Sequence, residues 1–439
     1  MVIGSIDIQA GKVVQLKQGS ELMLLRDNAA ELVEEFDRYG EVAVIDLDAA
    51  MGKGSNLDTI KPLLRKAECR LGGGIRSPEQ AKELVSLGAR KIIVGSSAFR
   101  SPGKQDGAPG EFGVNTGFLE AMGKAVGRER LVVAVDARKG EGEGYRIAVD
   151  GWKTLTGLDL IEAARAVEPY TGELLFTGVD REGTMGGLDL EPVRALRKAV
   201  SCRLTVAGGV ASVEETEAIA ALGCDVQLGM ALYTGKIDLG EAFVRSLNWG
   251  KGAYAGEGQE GLLPLIAQSF DGQVLMTGFA DREAVAESFK RGKLCFHSRT
   301  RDKLWMKGEN SGNVLKVLRL RADCDRDAIL ALVEPAGPVC HTGAFSCFGA
   351  GRRFTWEFLQ GIIAERFANP PPDSYTATLN DERVRRKLME EAYEVCTAGG
   401  HGEIVWEAAD LLYFATVLMT RAGVTVAEVL DELDRRHKK

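Results

Sequence analysis

The first half of this chain contains an internal repeat, which restricts the possible fold more than any other feature. Four motifs within residues 1–97 recur between 129 and 135 positions further along. The matched pairs are Asp7 and Asp136, Asp48 and Asp180, Gly73 and Gly208, and Gly95 and Gly229. Short β-branched runs alternate with helical patterns around these motifs, which predicts a parallel sheet. Four strand–helix units repeated once make eight, so residues 1–245 are predicted to form a (β/α)8 TIM barrel built from two halves.

Each repeated motif follows a predicted strand, and in such barrels the carboxyl ends of the strands form the catalytic face. Asp7 and Asp136 would lie opposite each other there, where two carboxylates can act as general acid and general base. Backbone N–H groups approach phosphate closely at glycine, so the repeat predicts two phosphate sites. Their residues would be Gly73, Gly74, Gly95, Ser96, Gly208, Gly209 and Gly229. The alternative is that the glycines only form tight turns and the acids only order loops.

Residues 46–50, 52–56 and 183–187 carry a resemblance beyond the Asp pair. They are similar to the histidine-pathway isomerase that converts an aminoaldose to a ketose, phosphoribosylformimino-AICAR phosphate isomerase. The resemblance implies that Asp7 is the acid or base toward the ring, that Asp136 is its partner, and that Thr177 and Trp152 help to hold the substrate.

The barrel also departs from that isomerase pattern. Gln15 and Met230 stand where arginine is frequent, and residues 101–116 form a Gly- and Pro-rich insertion. Residues 153–159 are closer to the related cyclase barrel, but that enzyme needs a basic residue beside the first strand, which residues 1–5 lack. An active isomerase is therefore expected, with a non-catalytic scaffold as the alternative.

Length and composition limit the whole chain. Its 439 residues are too many for one ordinary domain, and 45% hydrophobic with 27% charged content is typical of a globular protein. No run approaches 18 apolar residues, so no membrane span is expected. The N-terminus lacks a signal-peptide pattern, which favours a cytoplasmic location with the eight cysteines reduced. The formal net charge of −8 argues against nucleic-acid binding. A Gly-rich linker is predicted at residues 246–260.

Residues 323–347 concentrate metal-ligand chemistry within a predicted small α+β or mostly β domain, residues 261–352. The stretch contains Asp323, Cys324, Asp325, Asp327, Cys340, His341 and Cys347. Thiolates and imidazole favour Zn²⁺, whereas carboxylate oxygens favour Mg²⁺. Acids and a thiol that alternate on one strand point to opposite faces, which is consistent with two metal sites. The alternative is three unrelated cysteines acting as small hydrophobic residues.

Together with residues 298–301, 304–305 and 307–313, this stretch resembles phosphoribosyl-AMP cyclohydrolase. The resemblance implies Zn²⁺ on Cys324, Cys340 and Cys347, with ligands from two subunits and hence a homodimer. It also implies Mg²⁺ on Asp323, Asp325 and Asp327. His341 is then the expected proton-transfer group during attack on C6 of an N1-substituted adenine. Candidate phosphate contacts are Arg299, Arg301 and Lys307, although such strand-edge charges are often only solvated.

The last segment, residues 353–439, has helical patterns throughout and is predicted to be all-α. Glu391 and Glu394 share one helix face, and Glu407 and Asp410 repeat that spacing on the next helix. The Gly-rich turn at 399–402 would make the helices antiparallel neighbours, so that four carboxylates converge on Mg²⁺. A merely solvated face is the alternative.

Residues 374–376, 390–392 and 406–411 add a resemblance to phosphoribosyl-ATP pyrophosphatase, an all-α enzyme. It implies Mg²⁺-assisted attack of water on a triphosphate, with Lys387 as a phosphate contact. The three segments would then catalyse three consecutive steps of histidine biosynthesis on small phosphorylated nucleotides. A homodimer through the cyclohydrolase and helical domains is expected. The alternatives are a bifunctional enzyme with an inert barrel and a metal-dependent nucleotide house-cleaning hydrolase.

Overall fold

A computed structural model describes residues 1–17, 19, 21–99, 112–140, 142, 144–253, 261–349 and 351–437. The structure divides into two units. The first comprises Met1–Ser269 and Val274–Gly343, and the second comprises Phe270–Gln273 and Ala344–Lys439. Most of the expected insertion and residues 254–260 of the expected linker lie outside the described residues.

The predicted eight-stranded parallel barrel is confirmed. The last strand pairs with the first, with Val2 aligned to Val226, and this pairing closes the sheet. The strands are Val2–Gln9, Val42–Asp46, Cys69–Gly72, Lys91–Val94, Leu131–Ala134, Glu173–Thr177, Arg203–Ala207 and Asp225–Leu228. The helices of this part are Ala29–Asp37, Leu47–Ala50, Leu57–Leu64, Pro78–Ser86, Thr116–Val126, Leu160–Val167, Leu190–Ala199, Val213–Ala221, Met230–Tyr233 and Leu239–Ser246.

Side-chain alternation along the strands separates two apolar layers. Leu131 and Val133 belong to the large cluster that packs strands against helices, whereas Val132 and Ala134 belong to a small cluster inside the barrel. The barrel also encloses the fully buried Arg70, whose Nη1 lies 2.5 Å from Glu173 Oε1. A buried charge needs such a partner, because its desolvation is costly.

The two halves of the repeat carry equivalent hydrogen bonds. The N–H of Ala10 donates to Asp48 Oδ2 over 2.6 Å, and the N–H of Lys139 donates to Asp180 Oδ2 over 2.9 Å. Each bond ties the segment after one strand to the loop after the next. Both halves also carry strands that the sequence analysis did not anticipate: Lys12–Lys17 and Glu21–Arg26 in the first, and Ala137–Lys139, Tyr145–Val149 and Thr154–Asp159 in the second.

The rest of the first unit contains a six-stranded mixed sheet beside helix Arg282–Arg291. Its strands, in spatial order, are Lys303–Met306, Cys295–Ser298, Val274–Ala280, Leu263–Ser269, Ile329–Pro335 and Leu315–Ala322. Strand Ile329–Pro335 was not predicted from the sequence; it pairs parallel with one neighbour and antiparallel with the other. The beginning of the expected linker is well packed, because the Trp249 side chain is buried and its Nε1 donates to Val244 O over 2.9 Å.

The second unit is helical, as predicted. Its helices are Trp356–Ala368, Asp381–Thr397, His401–Arg421 and Val426–His437. Thr425 and Glu428 form a capping box at the start of the last helix, with reciprocal hydrogen bonds of 2.7 and 3.2 Å. Within the described residues, no single helix is long and apolar enough to cross a membrane, and one pair of helices bent by 109° meets the length and composition test only when taken together.

Candidate active sites

The barrel mouth, where the strands end, contains the two repeated aspartates. Asp7 lies near the end of the first strand, and Asp136 follows the fifth. Burial raises the pKa of Asp7 to about 7, although the Ser5 hydroxyl donates a hydrogen bond to it over 3.4 Å. Burial likewise raises the pKa of Asp136, against hydrogen bonds from Thr177 and Trp152. The Trp152 Nε1 donates to Asp136 Oδ2 over 2.8 Å.

A third carboxylate, which the sequence analysis missed, belongs to the same mouth. Burial raises the pKa of Glu182 to about 8, with further contributions from the negative charges of Asp7 and Asp136. The negative charges of the three acids therefore interact electrostatically. The repeat concealed Glu182, because a shift of 132 positions aligns it with Ala50, which is not ionisable. The available signal was its position directly before the Gly183 motif.

The paired glycine motifs have conformations that glycine alone adopts easily. Gly73, Gly74, Gly208 and Gly209 have φ values of +102°, +66°, +89° and +84°. A Cβ on Gly73 would lie 2.2 Å from the carbonyl oxygen of Asp46. The tight-turn explanation thus accounts for the glycines by itself, and their role in phosphate binding stays a prediction.

Gln15 provides separate evidence for a polar ligand near Gly229, the last glycine of the repeat. Its side chain is 3% exposed, and its Nε2 has no hydrogen-bond partner among the described residues. A Cβ on Gly229 would lie 3.0 Å from Gln15 Oε1, so the amide is next to this motif. A buried unpaired N–H is costly, and a phosphate oxygen would satisfy it. Ser96, in the matching motif of the first half, accepts a hydrogen bond from the N–H of Asp150 over 2.8 Å.

In the middle domain the structure brings the three predicted magnesium ligands together. Asp323, Asp325 and Asp327 each offer an oxygen atom within 4.8 Å of the other two. Asp323 Oδ1 also accepts the N–H groups of Asp327 and Ala328, over 3.0 and 3.1 Å, which closes the turn. This set of oxygen donors fits Mg²⁺.

The three predicted zinc ligands are divided between the two units of the structure. Cys324 is exposed and Cys340 is half-buried, both in the first unit, whereas the exposed Cys347 belongs to the second unit. Thr342 Oγ1 donates to Cys340 Sγ over 3.1 Å, and His341 Nδ1 lies 3.8 Å from that sulfur. The imidazole is therefore beside the thiol, as a proton-transfer role requires.

The predicted phosphate contacts of the middle domain are near its surface. Arg299 places its guanidinium 4.2 Å from the centre of the Phe279 ring, an attractive cation–π arrangement. Arg301 is exposed, and Lys307 is half-buried. Their role in binding phosphate stays a prediction.

In the helical unit, Glu391, Glu407 and Asp410 offer oxygen atoms within 4.8 Å of one another. Glu394 belongs to an overlapping group with Glu391 and Glu390, and the sequence analysis missed Glu390. Glu391 is only 3% exposed. Desolvation and the charges of Glu407 and Glu391 raise the pKa of Glu394. Crowded carboxylates of this kind are typical of a site for a divalent cation.

Lys387 lies within that acidic group. Its Nζ is 2.8 Å from Glu390 Oε1 and 2.7 Å from Glu391 Oε1, and these hydrogen bonds raise the pKa of Lys387. In this structure the ammonium group neutralises Glu391. Its predicted contact with phosphate would therefore require it to exchange partners.

The barrel, the mixed sheet and the helical carboxylate cluster together indicate a multifunctional enzyme. Comparison with known proteins shows its family. The chain belongs to the histidine biosynthesis protein family, whose model matches residues 1–238. The model for phosphoribosyl-AMP cyclohydrolase matches residues 276–349, and that for phosphoribosyl-ATP pyrophosphohydrolase matches residues 357–437.

Curated relatives agree with the two C-terminal matches. The chain is 38% identical over 204 residues to the histidine biosynthesis bifunctional protein HisIE of Vibrio vulnificus strain YJ016, covering 44% of this chain and 93% of that protein. The HisIE proteins of Xanthomonas campestris and Escherichia coli K12 are 40% and 39% identical over 200 and 204 residues. Each alignment covers 44% of this chain, and 94% and 97% of the respective relative. The chain is thus a multifunctional enzyme of histidine biosynthesis with cyclohydrolase and pyrophosphohydrolase domains, and the house-cleaning alternative is not supported.

Proposed function

We propose that the barrel is an active isomerase, so that the chain catalyses three consecutive steps of histidine biosynthesis. The observation that carries this proposal is the convergence of three acids with raised pKa values, Asp7, Asp136 and Glu182, on the mouth of the barrel. Carboxyl groups with strongly raised pKa values reduce the stability of the folded chain, and they are concentrated at sites of acid–base chemistry. The three raised pKa values therefore favour an active site over an inert scaffold.

The isomerisation needs a proton donor and a proton acceptor on one sugar. A carboxylic acid protonates the ring oxygen as the C1–O bond breaks, which leaves an open-chain imine. A carboxylate then removes the proton from C2, and the resulting enaminol gains a proton at C1 and loses the proton of its C2 hydroxyl, so that the ketose forms. A pKa near 7 lets Asp7 act as acid in one step and base in another at neutral pH. Asp136, held by Trp152, is its partner, and Glu182 stands beside both. The glycine motifs with Gln15 and Ser96 would bind the two phosphates.

The middle domain would open the adenine ring of phosphoribosyl-AMP. When bound, Zn²⁺ on Cys324, Cys340 and Cys347 would make water nucleophilic near neutral pH, and Mg²⁺ on the carboxylates of 323–327 would offset phosphate charge. His341 would take the proton from the attacking water and return it to N1 as the N1–C6 bond breaks. Arg299, Arg301 and Lys307 would hold the phosphate.

The helical domain would convert phosphoribosyl-ATP to phosphoribosyl-AMP and pyrophosphate. Glu391, Glu394, Glu407 and Asp410 would hold Mg²⁺, since their oxygens form two adjoining groups. Lys387 would move from Glu391 to the triphosphate once cations neutralise the carboxylates. Water would then attack the α-phosphorus, and the pyrophosphate would leave.

We infer a homodimer formed through the cyclohydrolase and helical domains. Met389, Tyr393 and Trp406 are 76%, 70% and 71% exposed, although they lie on the two helices that carry the carboxylates. Large apolar side chains at this exposure are typical of an interface. The functional limits we propose are 1–245, 261–352 and 353–439, with a linker at 246–260. Three thiol ligands that must stay reduced favour a cytoplasmic location.

The isomerase proposal is tested by supplying the ring-opened aminoaldose directly and measuring ketose formation by chromatography. Wild type should form the ketose, and Asp7→Asn should not. Asp58→Asn, at an exposed position in the first turn of helix Leu57–Leu64, is the matched control and should be as active as wild type. Absence of ketose with the wild-type chain would establish the scaffold alternative.

A further inference from the structure

The loop that carries the three middle-domain carboxylates also carries a residue whose side chain extends from the middle domain to the barrel. Residues 323–327, hereafter the metal loop, join strand Leu315–Ala322 to strand Ile329–Pro335. Arg326 lies between two of the predicted ligands, yet its side chain is only 9% exposed. It reaches into the barrel part of the same unit instead of pointing toward solvent.

Arg326 contacts three groups of the barrel. Its Nη1 donates to the carbonyl of Ala220 over 2.5 Å, and its Nη2 donates to the carbonyl of Cys224 over 2.6 Å. The same Nη2 is 3.1 Å from Asp225 Oδ1. A planar guanidinium with several fixed N–H groups suits such a set of acceptors, which an ammonium group could not satisfy together.

Asp225 is itself the centre of a buried charge network. It is the first residue of the eighth barrel strand, on the face opposite the mouth, and it is 6% exposed. It accepts hydrogen bonds from the amino group of Met1 and from Arg203, whose Nη2 is 2.9 Å from Asp225 Oδ2. A buried carboxylate with three cationic partners is costly to disturb. The network therefore fixes the end of the Arg326 side chain.

The backbone of the metal loop is also held by contacts with the segment that follows the barrel. Arg326 has φ +64°, a left-handed conformation that is unfavourable for a non-glycine residue. Its carbonyl accepts the N–H of Asn248 over 2.8 Å. Lys251 Nζ lies 2.9 Å from Asp325 Oδ2. Both contacts come from the segment that directly follows the barrel, so the strained turn is held by its surroundings.

A second set of contacts holds the strand that leads into the loop. Arg319 Nη1 is 2.7 Å from Glu68 Oε1, and Arg321 Nη2 is 3.0 Å from Glu68 Oε2. The N–H of Leu320 donates to the carbonyl of Arg38 over 3.0 Å. These contacts lie on the same face of the barrel as Asp225, because Glu68 directly precedes the third strand. They provide an interface interaction that does not touch the loop.

We propose that Arg326 is a positioning residue for metal binding, through which the barrel face around Asp225 holds the metal loop in its ligand geometry. The barrel then contributes to ring opening whatever chemistry its own mouth performs. This inference rests on the proposed function, because it takes Asp323, Asp325 and Asp327 as Mg²⁺ ligands. Outer residues that orient ligands typically contribute 10- to 100-fold to metal affinity.

The test is a Mn²⁺ titration followed by electron paramagnetic resonance, with Mn²⁺ as the probe for the Mg²⁺ site. The full chain carries Glu391→Gln and Asp410→Asn to remove the helical-domain site, and Zn²⁺ is present to occupy the thiols. Arg326→Gly keeps the left-handed turn free of strain but removes the side chain. It should weaken Mn²⁺ binding at least 10-fold, and Arg326→Lys should recover part of that loss.

Two controls make the outcome decisive. Arg319→Ala removes two ion pairs of the same interface, with Asp37 and Glu68, without touching the loop. It should change Mn²⁺ affinity less than twofold. Wild-type affinity in Arg326→Gly, or an equal loss in Arg319→Ala, overturns the inference. Asp325→Ala separates it from the proposed function: if that variant binds Mn²⁺ normally, the assignment of the metal loop itself fails, and the inference fails with it.

Discussion

The Trp152 indole donates a hydrogen bond to Asp136 over 2.8 Å. This contact joins a loop residue to the aspartate that the sequence repeat pairs with Asp7. Trp152 itself has a left-handed backbone conformation, with φ +67°, and it follows two further residues of positive φ, Asp150 and Gly151. Such strain persists where surrounding contacts enforce it, often at functional sites. The bond orients one oxygen of Asp136 and favours its ionised form.

Trp152→Phe keeps the ring but removes the donor. A hydrogen bond to a charged group contributes about 1.5–3 kcal/mol, so we expect the isomerisation rate to fall roughly 10- to 100-fold. The acidic limb of the pH–rate profile should also move to higher pH, because the pKa of Asp136 rises without the donor. Trp249→Phe is the control, since it removes a buried indole donor that binds Val244 O instead. Equal rates for wild type and Trp152→Phe would contradict the assigned role.

Glu182 is expected to take part in the proton transfers at the mouth. Glu182→Gln keeps its size but cannot exchange a proton, and general acid–base groups typically contribute 10²- to 10⁴-fold. We expect a loss of at least about 100-fold in the isomerisation rate, with ring opening and pyrophosphate release unchanged. Steady-state rates of the three separate reactions provide the measurement. A loss smaller than about threefold would place Glu182 outside the chemistry.

The raised pKa values of Asp7 and Glu182, about 7 and about 8, also predict a pH dependence of stability. Between pH 4 and 8 the unfolded chain loses these protons before the folded chain does. The free energy of unfolding therefore decreases as pH rises through this range. Because water reaches the half-buried mouth, we expect an effect on the order of 1–2 kcal/mol per group, below the full value for shifts of this size.

Asp7→Asn and Glu182→Gln should accordingly be more stable than wild type at pH 8 and similar to it at pH 4. Urea unfolding of the full chain at both pH values measures this difference. The matched control Asp58→Asn should show the wild-type slope with pH. A variant that is destabilised equally at both pH values would argue against the raised pKa values.

Lys387 has two expected partners, Glu391 without substrate and the triphosphate with it. Lys387→Met removes a cation that competes with Mg²⁺ for Glu391, so the Mg²⁺ concentration for half-maximal binding should decrease or stay unchanged. The KM for phosphoribosyl-ATP should nevertheless rise about 10-fold, because a charge-assisted contact with phosphate is lost. Arg385→Met changes an exposed cation of the same helix and should alter neither value. A weaker Mg²⁺ affinity in Lys387→Met would contradict this exchange of partners.

The barrel could be predicted from the sequence because the internal repeat showed how many strands it has and where they end. The same repeat concealed Glu182. Asp7 and Asp136 are paired by the repeat, whereas Glu182 has Ala50 as its counterpart and is recognised only by its electrostatic environment. The carboxylate groups were predictable for a different reason, since their spacing is local to one loop or to two adjacent helices.

Long-range contacts were beyond sequence reasoning. From the sequence, Arg326 would be interpreted as a solvated charge in an exposed acidic loop. Nothing near it in sequence indicates its contact with Asp225, which lies 101 positions away. The strand Ile329–Pro335, second from the edge of its sheet, was missed because a short apolar run has the same local pattern in a strand and in a buried helix. Such features depend on which surfaces the folded chain brings together.

We propose that one chain catalyses all three steps. The most direct test supplies phosphoribosyl-ATP to purified protein with Mg²⁺ and Zn²⁺ and resolves the products by chromatography, beside Asp7→Asn and Cys340→Ala. We expect that wild type accumulates the ketose, that Asp7→Asn stops at the ring-opened aminoaldose, and that Cys340→Ala stops at phosphoribosyl-AMP. If wild type with both metals stops at the aminoaldose, the claim of a three-step enzyme is contradicted.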